Sequence, residues 1–166
     1  MILKANPQHA EEITDLFRTA TDGMIASGID QWNYSYPLIS HISEDIEQGS
    51  AFIMMEKGSI LATVTLDGNQ DEQYQKIRWP FVSPRPLVIH RLAVHPDGQG
   101  QGLGKKMCHF AQEFAAANRF TSIRLDAYSK NPVSLRLYHN LGYTKAGGYC
   151  YFHKNPAPFY CFEKMT

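Results

Sequence analysis

The sequence is poor in cysteine, in long apolar runs and in net charge. Its three cysteines, Cys108, Cys150 and Cys161, are odd in number and have no C-x-x-C spacing. A disulfide framework and a cysteine zinc site are therefore not expected, and the cysteines read as small core fillers. The seven histidines include no His-Glu-x-x-His pattern, so no catalytic metal is expected. The longest run of hydrophobic residues is five, Ala51 to Met55, too short for a transmembrane helix. The start, Met1-Ile2-Leu3-Lys4, has neither the length nor the order of a signal peptide. Lys plus Arg number 16 and Asp plus Glu number 16, so the basic surplus of a general nucleic-acid binder is missing. A local basic patch stays open. The chain reads as a soluble cytoplasmic protein with no nucleic-acid or membrane partner.

The 166 residues suffice for one domain with a full core. Ile2 and Leu3 suggest a short strand. Asn6-Pro7 is a helix start, with Asn as cap and Pro at the first helical position. Ile13, Leu16, Phe17, Ala20 and Met24 follow at helical spacing, and Gly28 breaks the segment. A second helix fits 37–48, with Gly49 just past its end. Strands fit 50–56 and 59–66, joined at Lys57-Gly58. The stretch 67–85 is polar, long for a loop, and has room for one helical turn near 71–77. A strand fits 86–94. A turn follows at His95-Pro96-Asp97-Gly98, then a glycine-rich run, then a helix to about Asn118. A strand at 121–128, a helix from Asn131-Pro132 to Gly142, and aromatic-rich strands at 143–152 and 158–164 complete the chain. The last two read as the edges of a closing hairpin. This order predicts an α+β fold: a mixed, mostly antiparallel central sheet flanked by about four helices, in a single domain over residues 1–166.

Gln99-Gly100-Gln101-Gly102-Leu103-Gly104-Lys105 joins a strand to a helix. Such a loop turns backbone N–H groups toward an anion, and the helix start adds a positive dipole end. The other reading is a solvated glycine turn. A Walker A loop fails, because Gln99 stands where its first Gly should be and Lys106 where Ser or Thr should be. A dinucleotide fingerprint starting at Gly100 fails at Lys105.

Leu92-Ala93-Val94-His95-Pro96 followed by Gln99-x-x-Gly102-x-Gly104 resembles the acetyl-CoA motif of the GNAT N-acetyltransferases. Asn131, Leu137-Tyr138 and Leu141-Gly142-Tyr143 resemble the same family's second signature, with Tyr in place of its final Phe. The resemblance implies acetyl-CoA as co-substrate and transfer of its acetyl group to a primary amine of a small molecule or peptide. It implies that Leu92, Ala93 and Val94 line the pantetheine arm, through the amides of Leu92 and Val94. It implies that Gln99, Gly100, Gln101, Gly102, Leu103, Gly104 and Lys105 cradle the pyrophosphate, and that Asn131 bonds the cofactor arm. Asn131 reads equally as a plain helix cap.

Direct attack needs an amine that has lost its proton. An alkylamine with a pKa of about 10.4 is almost wholly protonated at neutral pH, so a base or water relay is useful. Tyr138 matches the family's general-acid position, against a reading as a buried aromatic. His90, two residues before Leu92, resembles the histidine base of serotonin-type members. Two residues from Leu92 on the same strand, it shares a face with the reactive end. Asp126 stands where ribosomal-protein acetyltransferases carry a glutamate base, against a salt bridge to Arg91 or Arg124. Trp32, Tyr34 and Tyr36 fall in the segment that borders the acceptor site in this fold, with Trp32 and Tyr36 the candidate substrate contacts, against simple packing. Tyr74 and Trp79 lie in the 67–85 insertion, which could form an acceptor lid or a homodimer contact. A non-catalytic acyl-CoA sensor on the same fold and a phosphate-binding module for another nucleotide are the rival readings.

Overall fold

The first helix begins where a side chain replaces missing backbone bonds. In the computed structural model, which describes all 166 residues, Asn6 accepts from the Gln8 N–H at 3.0 Å and donates its own N–H to His9 Nδ1 at 3.1 Å. A 3-10 turn at Pro7–His9 leads into α1 (Ala10–Ala26). Next come α2 (Ile39–Glu47), β2 (Ala51–Glu56) and β3 (Ser59–Asp67), after the short β1 (Ile2–Lys4). A 3-10 turn at Glu72–Lys76 precedes β4 (Pro86–Val94). The chain then forms α3 (Leu103–Ala117), β5 (Ser122–Tyr128), α4 (Pro132–Asn140), β6 (Thr144–Cys150) and β7 (Phe159–Met165). The seven strands run in the order β1-β2-β3-β4-β5-β7-β6, with β4 and β5 parallel and β1–β2, β2–β3, β5–β7 and β6–β7 antiparallel. This is the expected α+β class with a mixed sheet and four helices.

The chain forms two compact units that divide β4 and α3 between them. The first comprises Met1–Leu66 and His90–Phe110. Its core is Ile13, Leu16 and Phe17 from α1, Ile42 and Ile46 from α2, and Ile53, Ile60 and Ala93 from the strands. Pairing of Leu3 with Ile53 and of Phe52 with Val64 sets the strand register. Lys57 and Gly58 both have left-handed backbone, φ 50° and 85°, the pattern of a turn whose twist matches antiparallel strands.

The second unit comprises Asp67–Ile89 and Ala111–Thr166. Leu87 pairs with Ile123 between β4 and β5, and Asp126 pairs with Cys161 between β5 and β7. The two C-terminal strands differ from expectation. Only β6 is a sheet edge; β7 lies between β5 and β6 and is paired on both sides. Its burial fits: Phe159, Cys161, Phe162 and Glu163 are all buried.

Glu163 is a fully buried charge on β7. Its carboxylate accepts from Arg124 Nε at 2.9 Å, from Ser122 Oγ at 2.8 Å and from the Phe81 N–H at 3.2 Å. Arg124 also donates to Gln70 Oε1 at 2.7 Å and lies 4.2 Å from the Trp79 ring centroid. The 67–85 insertion is thereby fastened to the strands of its own unit. Removing one partner of a buried, hydrogen-bonded ion pair strands the other charge, at a cost of about 3–5 kcal/mol. Glu163→Ala should lower the unfolding free energy measured by urea titration by an amount of that size. Ser122→Ala, which removes one bond from the same carboxylate, should cost about 1 kcal/mol.

Candidate active site

The glycine-rich run opens α3, the longest helix after α1. Gly100 and Gly102 have φ of 76° and 74°, a conformation L side chains rarely adopt. A Cβ at either would meet no protein atom within 4 Å. Both therefore border open space, and both are required by conformation and not by crowding. Gly98 is different: a Cβ there would lie 2.6 Å from Leu103 Cδ1, so this glycine lets the turn close on the buried Leu103. The sequence marks Gly98 only as a turn residue; its packing role depends on Leu103 folding back.

The first bond of α3 runs from the Lys106 N–H to the Gly102 carbonyl at 3.0 Å. The amides of Leu103, Gly104 and Lys105 precede it and have no carbonyl four residues back in the helix to bond. The helix carries no acidic residue in its first turn, and Lys105 and Lys106 are both exposed there. Amide donors, a dipole end and two ammonium groups make this donor set suited to a phosphate or pyrophosphate. Gln99 and Gln101 do not add side-chain donors to it. Their amides bond back to the Val94 and Asp97 carbonyls at 3.4 and 2.8 Å, bracing the turn.

Leading into this loop, β4 contains an irregularity the sequence does not announce. Arg91 has φ 48°, left-handed backbone in a non-glycine residue inside a strand. Regular two-residue alternation does not run through it, so the inference that His90 and Leu92 share a face loses its basis. Ala93 is buried in the core, whereas His90, Leu92 and Val94 are half-buried.

The Arg91 side chain explains how this backbone is held. Nε and Nη2 donate to the two oxygens of Asp45 at 2.9 and 2.5 Å, and Nη1 donates to the Tyr36 hydroxyl at 2.8 Å. Asp45 on α2 is buried and also accepts from Thr65 Oγ1 at 2.8 Å. Burial opposes the Arg91 charge, but Asp45 and Tyr36 outweigh it and its pKa is raised. Asp45 was legible in one respect. It stands between Ile42 and Ile46 on the apolar face of α2, where an unpaired carboxylate would be costly.

Of the aromatic residues in the α1–α2 segment, Trp32 is half-buried and meets Phe17 edge-on at 5.2 Å. Tyr36 is half-buried, bonded by Arg91 and edge-on to His41 at 5.0 Å. Tyr34 is exposed and donates to Asp22 at 2.5 Å, and this contact raises its pKa. Trp32 thus packs on α1, and Tyr36 packs on α2 while bonding Arg91.

In the second unit, Asn131 is the cap of α4: its side chain accepts from the Ser134 N–H at 3.2 Å, and the residue is buried. Tyr138, on the same helix, is buried with its ring 5.7 Å from Tyr143 and 6.1 Å from Phe162. Asp126 on β5 is half-buried. Neither expected salt bridge accounts for it, since Arg91 pairs with Asp45 and Arg124 with Glu163. Its carboxylate instead accepts from the Tyr74 hydroxyl at 2.6 Å. Burial, followed by the Asp126 charge and its hydrogen bond, pushes the Tyr74 phenol well above its ordinary pKa. Sequence spacing gives no hint of this contact, because Tyr74 and Asp126 are 52 residues apart.

Known proteins share both sequence and fold with this chain. The model of the acetyltransferase (GNAT) family matches residues 11–143. An uncharacterised N-acetyltransferase of Bacillus subtilis (strain 168), YesJ, is 28% identical over 153 residues, covering 89% of this chain and 85% of its own. The S-alkylcysteine N-acetyltransferase of the same organism is 25% identical over 142 residues, covering 84% of this chain and 75% of its own. A GNAT-family acetyltransferase of Streptococcus agalactiae superposes with a TM-score of 0.82 at 25% identity, covering 100% of this chain and 95% of that one. The Salmonella typhimurium protein yncA, solved with its cofactor acetyl-CoA, superposes with a TM-score of 0.73 at 16% identity, covering 99% of this chain and 92% of that one. With the family match spanning most of the residues and the fold agreeing from end to end, this chain belongs to the GNAT family and is an acyltransferase enzyme.

Proposed function

We propose that residues 1–166 act as one N-acetyltransferase domain that moves an acetyl group from acetyl-CoA to a primary amine. The observation that carries this reading is the start of α3, where left-handed Gly100 and Gly102 face open space beside the amides that precede the first helical bond and two exposed lysines. The amides of residues 99 to 105 would hold the pyrophosphate, those of Gln99 and Gln101 beyond the bonds they already make to the Pro96 and Gly98 carbonyls; the Leu92 and Val94 amides would hold the pantetheine arm, and Asn131 the same arm beyond its capping bond. Acetyl-CoA, when bound, supplies an acyl carbon activated as a thioester.

The chain's own residues then manage protons. His90 or Asp126, directly or through a water, takes the proton that the amine must lose. The nitrogen lone pair forms the new C–N bond as the C–S bond breaks; the nitrogen then gives its second proton to solvent, and Tyr138 protonates the departing sulfur and regains its own proton from solvent. Trp32 and Tyr36 would border the acceptor. A small amino-acid derivative is the acceptor class to test first, with an S-alkylcysteine at its head, because a relative that matches most of this chain is named for that substrate. Three buried thiols suit a reducing compartment, in keeping with a cytoplasmic reaction. No helix is long and apolar enough to cross a membrane.

Calorimetric titration should show acetyl-CoA binding, with ATP and NADH failing to compete, and an S-alkylcysteine should release free thiol from acetyl-CoA in the presence of the protein. Gly102→Val places a β-branched residue at φ 74° and fills the open cradle. It should weaken acetyl-CoA binding at least about tenfold in a protein that still folds; undiminished binding would move the pyrophosphate elsewhere. Tyr138→Phe should lower kcat by about 10²-fold with acetyl-CoA affinity nearly unchanged. An equal loss of affinity would assign Tyr138 to packing. The pH–rate profiles of His90→Ala and Asp126→Asn should differ, and the base is the residue whose loss removes the acid limb.

A further inference from the structure

Besides Gln70, which bonds Arg124, the 67–85 insertion brings the Tyr74 hydroxyl to β5. Tyr74 lies in the 3-10 turn Glu72–Lys76 and is only 3% exposed. Its hydroxyl reaches Asp126 Oδ2 at 2.6 Å. The turn that carries it is fixed from several sides. Asp71 caps it by accepting from the Gln73 N–H at 2.9 Å. Gln73 bonds the Tyr151 backbone twice, at 3.0 and 2.9 Å. Trp79 packs edge-on against the Tyr74 ring at 5.0 Å and donates its indole N–H to the Tyr74 carbonyl at 3.0 Å. Arg78 and Gly147 exchange backbone hydrogen bonds at 2.8 and 3.0 Å, which tie the end of the segment to β6. So many restraints on a buried ring leave its hydroxyl one place to point.

We infer that Tyr74 is a positioning residue for the acetyl transfer, its hydroxyl holding the Asp126 carboxylate in one orientation as the proton acceptor. This rests on the reading of Asp126 as the base. A phenol donating to a carboxylate makes a charge-assisted bond, which favours the ionised acid and restricts its rotamer. Tyr74 keeps its proton throughout; the proton that moves goes from the amine nitrogen to Asp126. The phenol's raised pKa agrees, because a hydroxyl that does not ionise stays a donor across the working range. Titratable groups near Asp126 in this unit include Cys161, directly opposite on β7, and Cys150, whose thiol lies 3.6 Å from that of Cys161. Arg124, two residues before it on β5, is occupied by Glu163 and Gln70. Asp71 acts on Cys150 from the insertion. Tyr74 donates a hydrogen bond to the Asp126 carboxylate at 2.6 Å, and the positioning role rests on this bond.

Tyr74→Phe keeps the ring and removes the oxygen. The expected result is a fall in kcat of about tenfold, with KM for acetyl-CoA within about twofold. The acid limb of the pH–rate profile should move to higher pH, because a carboxylate that loses a donor becomes more basic. In an Asp126→Asn background the same change should have no further effect on kcat, since the group it positions is gone. A profile unmoved by Tyr74→Phe while Asp126→Asn removes the limb would overturn the positioning role and leave the base assignment standing. An unchanged limb in Asp126→Asn itself would remove the base assignment, and the positioning role with it. Should Tyr74→Phe fail to fold, Trp79→Phe loosens the seat of the ring and should move the limb in the same direction by less; an unmoved limb in that folded variant would count against the proposal equally.

Discussion

The bond between Arg91 and Asp45 is the constraint on which the first unit turns. A left-handed backbone costs an L-residue about 1–2 kcal/mol, and nothing in the sequence around Arg91 favours it locally. Its retention follows from the other end of the side chain. Asp45 is buried, and without the guanidinium fork it would be a carboxylate in a largely apolar setting with a single threonine hydroxyl for company. Leaving such a charge unpaired costs more than the backbone conformation does. The helix α2 thus dictates the course of β4 at the point where the strand runs on to Leu92, Ala93 and Val94. Tyr36 is drawn into the same arrangement through Arg91 Nη1. One ion pair therefore sets the strand that precedes the glycine loop and the orientation of an aromatic residue in the α1–α2 segment.

The second unit uses the same device for another end. Glu163 and Arg124 are a buried pair on neighbouring strands, and their spare hydrogen-bonding capacity is taken up by Gln70, Ser122 and the Phe81 amide. Two of these three lie in the insertion between β3 and β4. A segment that reads as a polar loop is in this way given a fixed course, and Tyr74 is carried on it. Most of its residues are exposed, in keeping with the polar composition of 67–85, while Gln70 and the Phe81 amide bond the Arg124–Glu163 pair. That is why its sequence resembles a loop while its Tyr74 and Ile77 are buried.

What was legible in the sequence is what depends on near neighbours along the chain. The Asn6-Pro7 start, the Lys57-Gly58 turn, β4 at its full length and the glycine run into α3 are local patterns, and each appears where expected. The Asn131 cap was legible for the same reason. The insertion of β7 between β5 and β6 was not, because strand order is set by which partner a strand finds, and the hairpin pattern is the same either way. The left-handed Arg91 was not legible either. Its cause lies 46 residues away in Asp45, and only the oddity of a carboxylate on an apolar helix face pointed to it. The Tyr74 contact of Asp126 was likewise hidden by distance in sequence: Arg91 and Arg124 were the counter-ions considered for it, and they pair with Asp45 and Glu163.

This division between local and distant causes also separates the two halves of the chemistry. Anion binding at the start of α3 needs only glycines at two left-handed positions, a helix behind them and no acidic side chain in the first turn. Six consecutive residues supply that, so a short motif can report it. Proton transfer needs a carboxylate or imidazole with a controlled environment, and the environment of Asp126 comes from an insertion, a strand two places removed in sequence order and an edge strand. A short motif cannot report such a setting. A motif match therefore says more about the glycine loop than about the setting of Asp126, which the 67–85 insertion supplies through Tyr74, itself seated against Trp79.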